Sequence, residues 1–256
     1  MDILYGRNPV LEALRAGRPA RKVVIAAGVR PDPRLDEVRA LAVAQGVRLE
    51  ETARSRLDDI AHTEHHQGVA GYFHTRTALR LDELLGSARR PALLMALDGV
   101  QDPQNLGAVV RTAEACDVDG LVLARNRSAA PTPAAAKASA GAIEHVPVAV
   151  VGNLTQALQS MKAAGIWCVG LAPDARTRYD LFDYTQPVTL VLGAEAQGLR
   201  RLTRETCDAL VALPMLGRVE SLNVAASASA LLYEVQRQRG FAPRGPRAVR
   251  ALRADS

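Results

Sequence analysis

The sequence predicts an α/β protein in two parts, a small mixed unit followed by a larger parallel sheet with helices on both faces. Three observations carry this. From residue 91 onward, solidly apolar runs recur: ALLMALD, GLVLA, VPVAV, IWCVGLA, VTLVLG and ALVALP. Each is followed by a polar or glycine-containing loop, usually leading into a helical stretch. Continuous apolar strands between helices belong to a sheet buried on both faces. Second, residues 1–73 alternate shorter strand-like and helical stretches. Third, hydrophobic residues make up 48% of the chain but aromatics only 4%. That is enough apolar matter for a sizeable core, one built from Ala, Val and Leu.

In order, NPVLEALRAG reads as a helix with Pro9 near its first turn and Gly17 as its stop. RKVVIAA is a strand, PRLDEVRALAVAQG a helix, and VRLEE and GVAGYF are strands. Together they close a unit over residues 1–74. HTRTALRLDELLGSARR is polar and forms a linker with a short helix, assigned to 75–90. The larger domain spans 91–240. In RSAAPTPAAAKASAGAIEHVPV, Pro131 and Pro133 leave the start of the expected helix open. Residues 237–253 hold six arginines, Pro243, Pro246 and no acid. The tail over 241–256 is expected to be disordered, either as a solvated end or as an arm touching nucleic acid. There are no internal repeats.

The formal charge is 32 − 27 = +5 with pI near 9.4, which favours a polyanionic partner weakly. Of the 32 basic residues only Lys22, Lys137 and Lys162 are lysines, so 29 are arginines. Genomic base composition accounts for such a bias. Its consequence holds either way, because arginine pairs bidentately with phosphates and stacks on bases. No apolar run reaches the ~18 residues of a membrane span. The N-terminus MDILYGRNPV lacks the order of a secretory signal. Cys116, Cys168 and Cys207 are odd in number and set among apolar residues, as reduced core thiols of a cytoplasmic protein would be.

Parallel sheets bind ligands at the carboxyl ends of their strands, so the loops there are the candidate sites. After ALLMALD comes GVQDPQNLGAVVRTAEA. Pro103 and Gly107 are read as fixing a turn and Asn105 as preceding the helix. Arg111 lies about one turn in, beside Val109, Val110 and Thr112. It is either a surface arginine near an Asn cap or a site residue. After VTLVLG comes AEAQGLRRLTRE, with Gly193 and Gly198 bracketing Glu195. Arg200, Arg201 and Arg204 fall near a helix start, where positive charge opposes the helix dipole. An anionic partner is the expectation there. After ALVALP comes LPMLGRVESLNVAASASALL. Its helix carries an apolar stripe of Val224, Ala228, Leu231 and Val235, and Glu220, Ser221 and Asn223 sit at its mouth. Ser221 and Asn223 are credible N-caps or ligand contacts. Neither GxGxxG nor GxxxxGK[ST] occurs. Read together, the three loops form one pocket. His62, His65, His66 and His74 lack the spacing of a zinc site, and no metal is expected. Arg7, Arg15, Arg18 and Arg21 either grip phosphates or form a solvated face.

NLGAVVRTAEA, LVLGAEAQGL and LPMLGRVESLNVAASASALL resemble, in order and spacing, the three signature motifs of the SpoU-type RNA ribose 2′-O-methyltransferases of the SPOUT superfamily. YGRNPVLEAL and HHQGVAGYF resemble that family's substrate-binding domain, which is similar to the ribosomal protein L30e fold. The resemblance implies a C-terminal trefoil knot, which topology rules alone would not suggest. It also implies a homodimer that binds S-adenosylmethionine. Gly193, Leu213, Met215 and Leu222 would line the methionine and adenine pocket, largely through backbone. Arg111 would sit beside the ribose hydroxyl, with Asn105, Glu195, Ser221 and Asn223 around it. A guanidinium stays protonated, so Arg111 is read as stabilising the oxyanion. Arg7, Arg15, Arg18, Arg200 and Arg201 are the candidate RNA contacts. The implied substrate is a guanosine of 23S rRNA, as in family members that modify the P loop of the peptidyl-transferase centre. A tRNA ribose methyltransferase, an antibiotic-resistance rRNA methyltransferase and a non-catalytic RNA-binding protein are the alternatives.

Overall fold

A computed structural model of the chain describes residues 1–125, 132–195 and 197–245. The elements run β1 (Asp2–Tyr5), α1 (Arg7–Arg15), β2 (Ala20–Ala26), α2 (Pro33–Ala44), β3 (Arg48–Thr52), α3 (Arg54–Ala61) and β4 (Val69–Phe73). Then come α4 (Leu81–Ser87), β5 (Leu93–Asp98), α5 (Pro103–Ala115), β6 (Gly120–Ala124), α6 (Pro133–Ala138), β7 (Val148–Val151) and α7 (Leu154–Ala163). The chain continues with β8 (Trp167–Leu171), β9 (Thr177–Arg178), β10 (Val188–Gly193), α8 (Arg201–Thr206), β11 (Ala209–Ala212) and α9 (Val224–Gln238). They divide into two compact units. The first comprises residues 1–77 and 102–114 and, of the described residues, 132–145; the second holds the rest.

The first unit carries a four-stranded sheet of order β1-β4-β2-β3. β4 is antiparallel to β1 and β2, while β2 and β3 are parallel. α1 buries Pro9, Val10, Leu11, Ala13 and Leu14. α2 begins with Asp32 accepting from the Arg34 amide at 2.9 Å and Pro33 in its first turn, a favoured start. β1 and α3 are additions to the sequence reading. α3, RSRLDDIA, is largely polar and is held by buried Leu57 and Ala61.

α5 corrects the expected turn. It starts at Pro103, so Asn105 and Gly107 lie inside the helix. The Asp102 carboxylate accepts from the Gln104 and Asn105 amides, the work of an N-cap. Gly107 is buried, and a Cβ there would lie 2.3 Å from the Ala138 Cβ and 2.7 Å from the Ala138 carbonyl carbon. Its role is close packing of α5 on α6. α6 opens at Pro133 with the Thr132 hydroxyl accepting from the Ala135 amide. Pro131 lies outside the described residues.

The second unit is a seven-stranded sheet, β7-β6-β5-β10-β8-β11-β9, parallel throughout. Leu94, Ala96, Val122, Ala149 and Val191 pack with Leu154, Leu158 and Met161 of α7 in one buried cluster. All four residues of the expected α9 stripe, Val224, Ala228, Leu231 and Val235, are buried. The basic tail, expected to be disordered from 241, is tied down as far as the description goes. Arg244 pairs with Asp119 at 2.9 Å, and Arg89 bonds Asp117, Asp119 and the Gly245 carbonyl. The Arg239 guanidinium donates to the carbonyls of Tyr184, Pro91, Ala92 and Gln186, fastening the end of α9. Residues 246–256 lie outside the described residues.

Candidate active site

Because β5, β10, β8 and β11 are parallel, their carboxyl ends share one edge of the second unit. With β8 between them, β10 and β11 end about 10 Å apart. At that edge β10 closes on itself. Ala194 and Gly198 form an antiparallel bridge, and the Gly198 amide donates to the Ala194 carbonyl at 2.7 Å. A Cβ on Gly193 would meet the Gly198 carbonyl at 2.0 Å, so only glycine lets the backbone pass there. Both ends of this loop are fastened to Asp98, a buried residue that ends β5. The Asp98 carbonyl accepts from the Ala194 amide at 3.1 Å, and its carboxylate accepts from the Arg200 amide at 3.0 Å and Nε at 2.5 Å. The sequence reading passed over Asp98. The signal available was an acid closing an otherwise apolar strand, ALLMALD.

The second fastening joins β10 to α9. Asn223 is the N-cap of α9, its Oδ1 accepting from the Ala225 amide at 2.9 Å. Its amide nitrogen donates to the Glu195 carboxylate, which also accepts from the Val224 amide at 3.4 Å. Glu195 therefore sits at a helix N-terminus, where the dipole favours a negative charge. Of the alternatives for Asn223, cap and ligand contact, the structure shows the cap, with the rest of the amide holding Glu195.

Between β11 and α9, residues 214–222 make no hydrogen bond with another described residue. Leu213 and Met215 are half-buried, Leu222 is 42% exposed, and Ser221 and Glu220 are exposed. Apolar side chains beside open backbone amides and carbonyls suit a purine edge and a sulfur-bearing chain, so Gly193, Leu213, Met215 and Leu222 fit a nucleoside cofactor. The structure thus brings Gly193, Glu195, Leu213, Met215, Ser221, Leu222 and Asn223 to the loops of one sheet edge. Asn105 and Arg111 belong to α5 of the first unit. Val109 and Val110 are buried, whereas Arg111 points the other way and is exposed. Its guanidinium makes no hydrogen bond or ion pair with another described residue. It lines a polar cleft of about 460 Å³ with Asn8, Glu12, Arg34, Glu114 and His145.

The arginines assigned to RNA divide in two. Arg18 is buried between Asp2 and Glu144, which leaves it little access to a phosphate, and the part-exposed Arg200 is bound to buried Asp98, so both are engaged in holding the fold. Arg7 pairs with Asp32, Arg15 with Glu12 and Glu37, and Arg201 with Glu205. Arg204 pairs with Asp174. The helix-start arginines thus have carboxylates of their own, which removes the expected need for an anionic partner. The exposed pairs among them, at Arg15, Arg201 and Arg204, cost little to exchange for a phosphate. His66 is buried, its Nε2 on Asp58 at 2.8 Å and its Nδ1 accepting from the Gly68 amide at 2.9 Å, a clamp on the loop before β4. Among the described residues no group of three or more His, Cys, Asp or Glu side chains is placed to hold a metal ion. No helix among them is long and apolar enough to cross a membrane.

Two family models match the chain. Residues 92–233 match the SpoU rRNA methylase family, and residues 3–77 match the RNA 2′-O ribose methyltransferase substrate-binding family. An "uncharacterized tRNA/rRNA methyltransferase" of Mycolicibacterium vanbaalenii is 44% identical over 241 residues, covering 93% of this chain and 77% of its own length. A protein of the same description from Mycobacterium leprae is 42% identical over 240 residues, covering 93% and 78%. Among solved structures, the SpoU methyltransferase AviRb from Streptomyces viridochromogenes, in complex with AdoMet, superposes with a TM-score of 0.78 at 27% identity, over 94% of this chain and 91% of its own. An AdoMet-bound rRNA methyltransferase from Sinorhizobium meliloti gives 0.78 at 28%, over 92% and 87%. The parallel sheet is the scaffold these RNA methyltransferases share. The chain belongs to the SpoU rRNA methylase family.

Proposed function

We propose that the protein methylates a ribose 2′-hydroxyl in rRNA, with S-adenosylmethionine as methyl donor. The observation that carries the reading is the Glu195–Asn223 link, which fastens the β10 loop to the mouth of α9 beside the open backbone of 214–222. The cofactor is supported by the AdoMet found in the two structural relatives, and the ribose target by the substrate-binding match over 3–77. The cofactor supplies an electrophilic methyl on a sulfonium. The C–S bond breaks as the C–O2′ bond forms, and the hydroxyl proton passes to water or to a substrate phosphate. Gly193, Leu213, Met215 and Leu222 hold the cofactor, largely by backbone. Arg111 offers a permanently charged guanidinium to the developing oxyanion, and preorganised charge of this kind is worth roughly 10²–10³ in rate per donor. Asn105 and Ser221 orient the ribose and its phosphate, and Glu195 keeps the loop closed. A guanosine of 23S rRNA is the favoured target. The knot of the C-terminal segment, the L30e-like character of the first unit, a homodimer and a cytoplasmic location complete the proposal.

The test is methyl transfer from tritiated S-adenosylmethionine to 23S rRNA, 16S rRNA and tRNA. The expected product is label in 23S rRNA at a linkage that resists alkaline hydrolysis, as a 2′-O-methyl requires. Label on a base would overturn the ribose assignment. Label in tRNA alone would establish the tRNA alternative.

A further inference from the structure

We propose that the cleft beside Arg111 holds a backbone phosphate of the RNA presented for methylation, and that Arg34 is its grip. This rests on the reading above in one respect, that Arg111 serves the substrate ribose.

The cleft exists because two glycines let backbone lie where side chains would not fit. Gly141 has φ near +90°, and a Cβ there would stand 2.7 Å from the Glu12 Cβ and 3.0 Å from the Asn8 carbonyl. Gly107 admits Ala138 against α5 in the same way. The turn after α6 is thereby laid between α1 and α5 as a floor. Ser139 stiffens it, donating to the Ala136 carbonyl and accepting from the Ile143 amide. At about 460 Å³ the cleft lies within the ~300–1,000 Å³ of small-ligand sites.

Its charges are unequally satisfied. Glu12 is taken by Arg15 and by His145 Nε2, each at 2.7 Å, and Arg15 also binds Glu37 at 2.7 Å. Arg34, in the first turn of α2, has its backbone amide fixed on Asp32, while its guanidinium makes no bond with another described residue. The Arg111 guanidinium lines the same cleft and likewise makes no bond with another described residue. Among the described residues neither guanidinium has a hydrogen-bonded partner, Arg34 meeting Asp32 only through space; both line one polar cleft, and a guanidinium fork matches the bidentate geometry of a phosphate. Glu114 lies three residues from Arg111 on the same helix face and repels an anion from that face. The phosphate therefore belongs on the Arg34 side, which leaves Arg111 for the sugar.

The test compares Arg34→Gln, Arg34→Lys and the control Arg39→Gln, whose side chain lies on α2 outside the cleft. Binding of a 23S rRNA transcript is measured against salt, with KM for RNA, kcat, and S-adenosylmethionine affinity by calorimetry. Arg34→Gln is expected to weaken RNA binding about five- to tenfold and to lower the salt slope by about one. KM should rise in step, with kcat within twofold and cofactor affinity unchanged. Arg34→Lys should restore part of the binding, and Arg39→Gln should match the wild type. A wild type that binds RNA through Arg34 yet transfers no methyl group would sink the proposed activity and leave the cleft standing. A methylating wild type whose Arg34→Gln variant has the same RNA affinity and salt slope would overturn the cleft alone.

Discussion

Replacing Asp98 by Asn removes one charge from a pair at the hinge of the β10 loop. The Asp98 side chain is fully buried, and it accepts from both the amide and the side chain of Arg200. Stranding the partner of a buried ion pair costs about 3–5 kcal/mol. The Arg200 side chain is 34% exposed, so water relieves part of its charge, and about 2–3 kcal/mol is the working figure. For a chain of this size that lowers Tm by roughly 4–12 °C. The loop from Ala194 to Arg200 loses an anchor, and S-adenosylmethionine affinity should fall about tenfold (~1.4 kcal/mol). Thermal unfolding and calorimetry read the two effects. A double-mutant cycle with Arg200→Gln should show a coupling of at least ~1 kcal/mol. Additivity within ~0.5 kcal/mol, with unchanged cofactor affinity, would refute the claim that this pair organises the site.

Three further outcomes rest on packing and burial. Gly193→Ala would drive a Cβ into the Gly198 carbonyl at 2.0 Å, backbone that cannot yield, so cofactor binding should be lost with a destabilisation of about 1–3 kcal/mol; normal affinity in this variant would contradict the closed loop. Burial pushes the Cys116 thiol up to about 11 and those of Cys168 and Cys207 up to about 12. At pH 8 their labelling by a thiol reagent should therefore run on the order of 10²–10³ slower than a free cysteine's, rising to the free rate on unfolding. The sign on stability follows. The folded thiols keep their protons where unfolded ones lose them, so their contribution is whole below about pH 9 and is lost as pH climbs through about 11 for Cys116 and about 12 for Cys168 and Cys207, a decline that denaturant midpoints at pH 8 and 10.5 would show.

What was legible in the sequence was what repeats locally. The apolar runs gave the parallel strands, and the spacing of Val224, Ala228, Leu231 and Val235 gave the buried face of α9. Asn223 was readable as a cap because a cap acts on amides two or three residues away. What escaped depends on distant partners. β1 is four residues long and exists by pairing with β4, and the two-residue β9 exists by pairing with β11. Pro103 and Gly107 looked like turn residues because their other uses, a helix start and a contact with Ala138, need tertiary context. The arginines misled most. Arg18 meets Glu144, Arg200 meets Asp98 and Arg244 meets Asp119, at separations over which charge patterning carries no information. The roles of Arg111 and Glu195 came from the resemblance of their motifs; the residues alone left Arg111 either a surface arginine or a site residue.

The most direct measurement is single-turnover methyl transfer by Arg111→Ala, alongside its calorimetric titration with S-adenosylmethionine. The account predicts cofactor affinity within twofold of the wild type and a transfer rate lower by about 10²–10³, the scale for removing a preorganised oxyanion donor. A variant that binds the cofactor and turns over at a near-normal rate would contradict it.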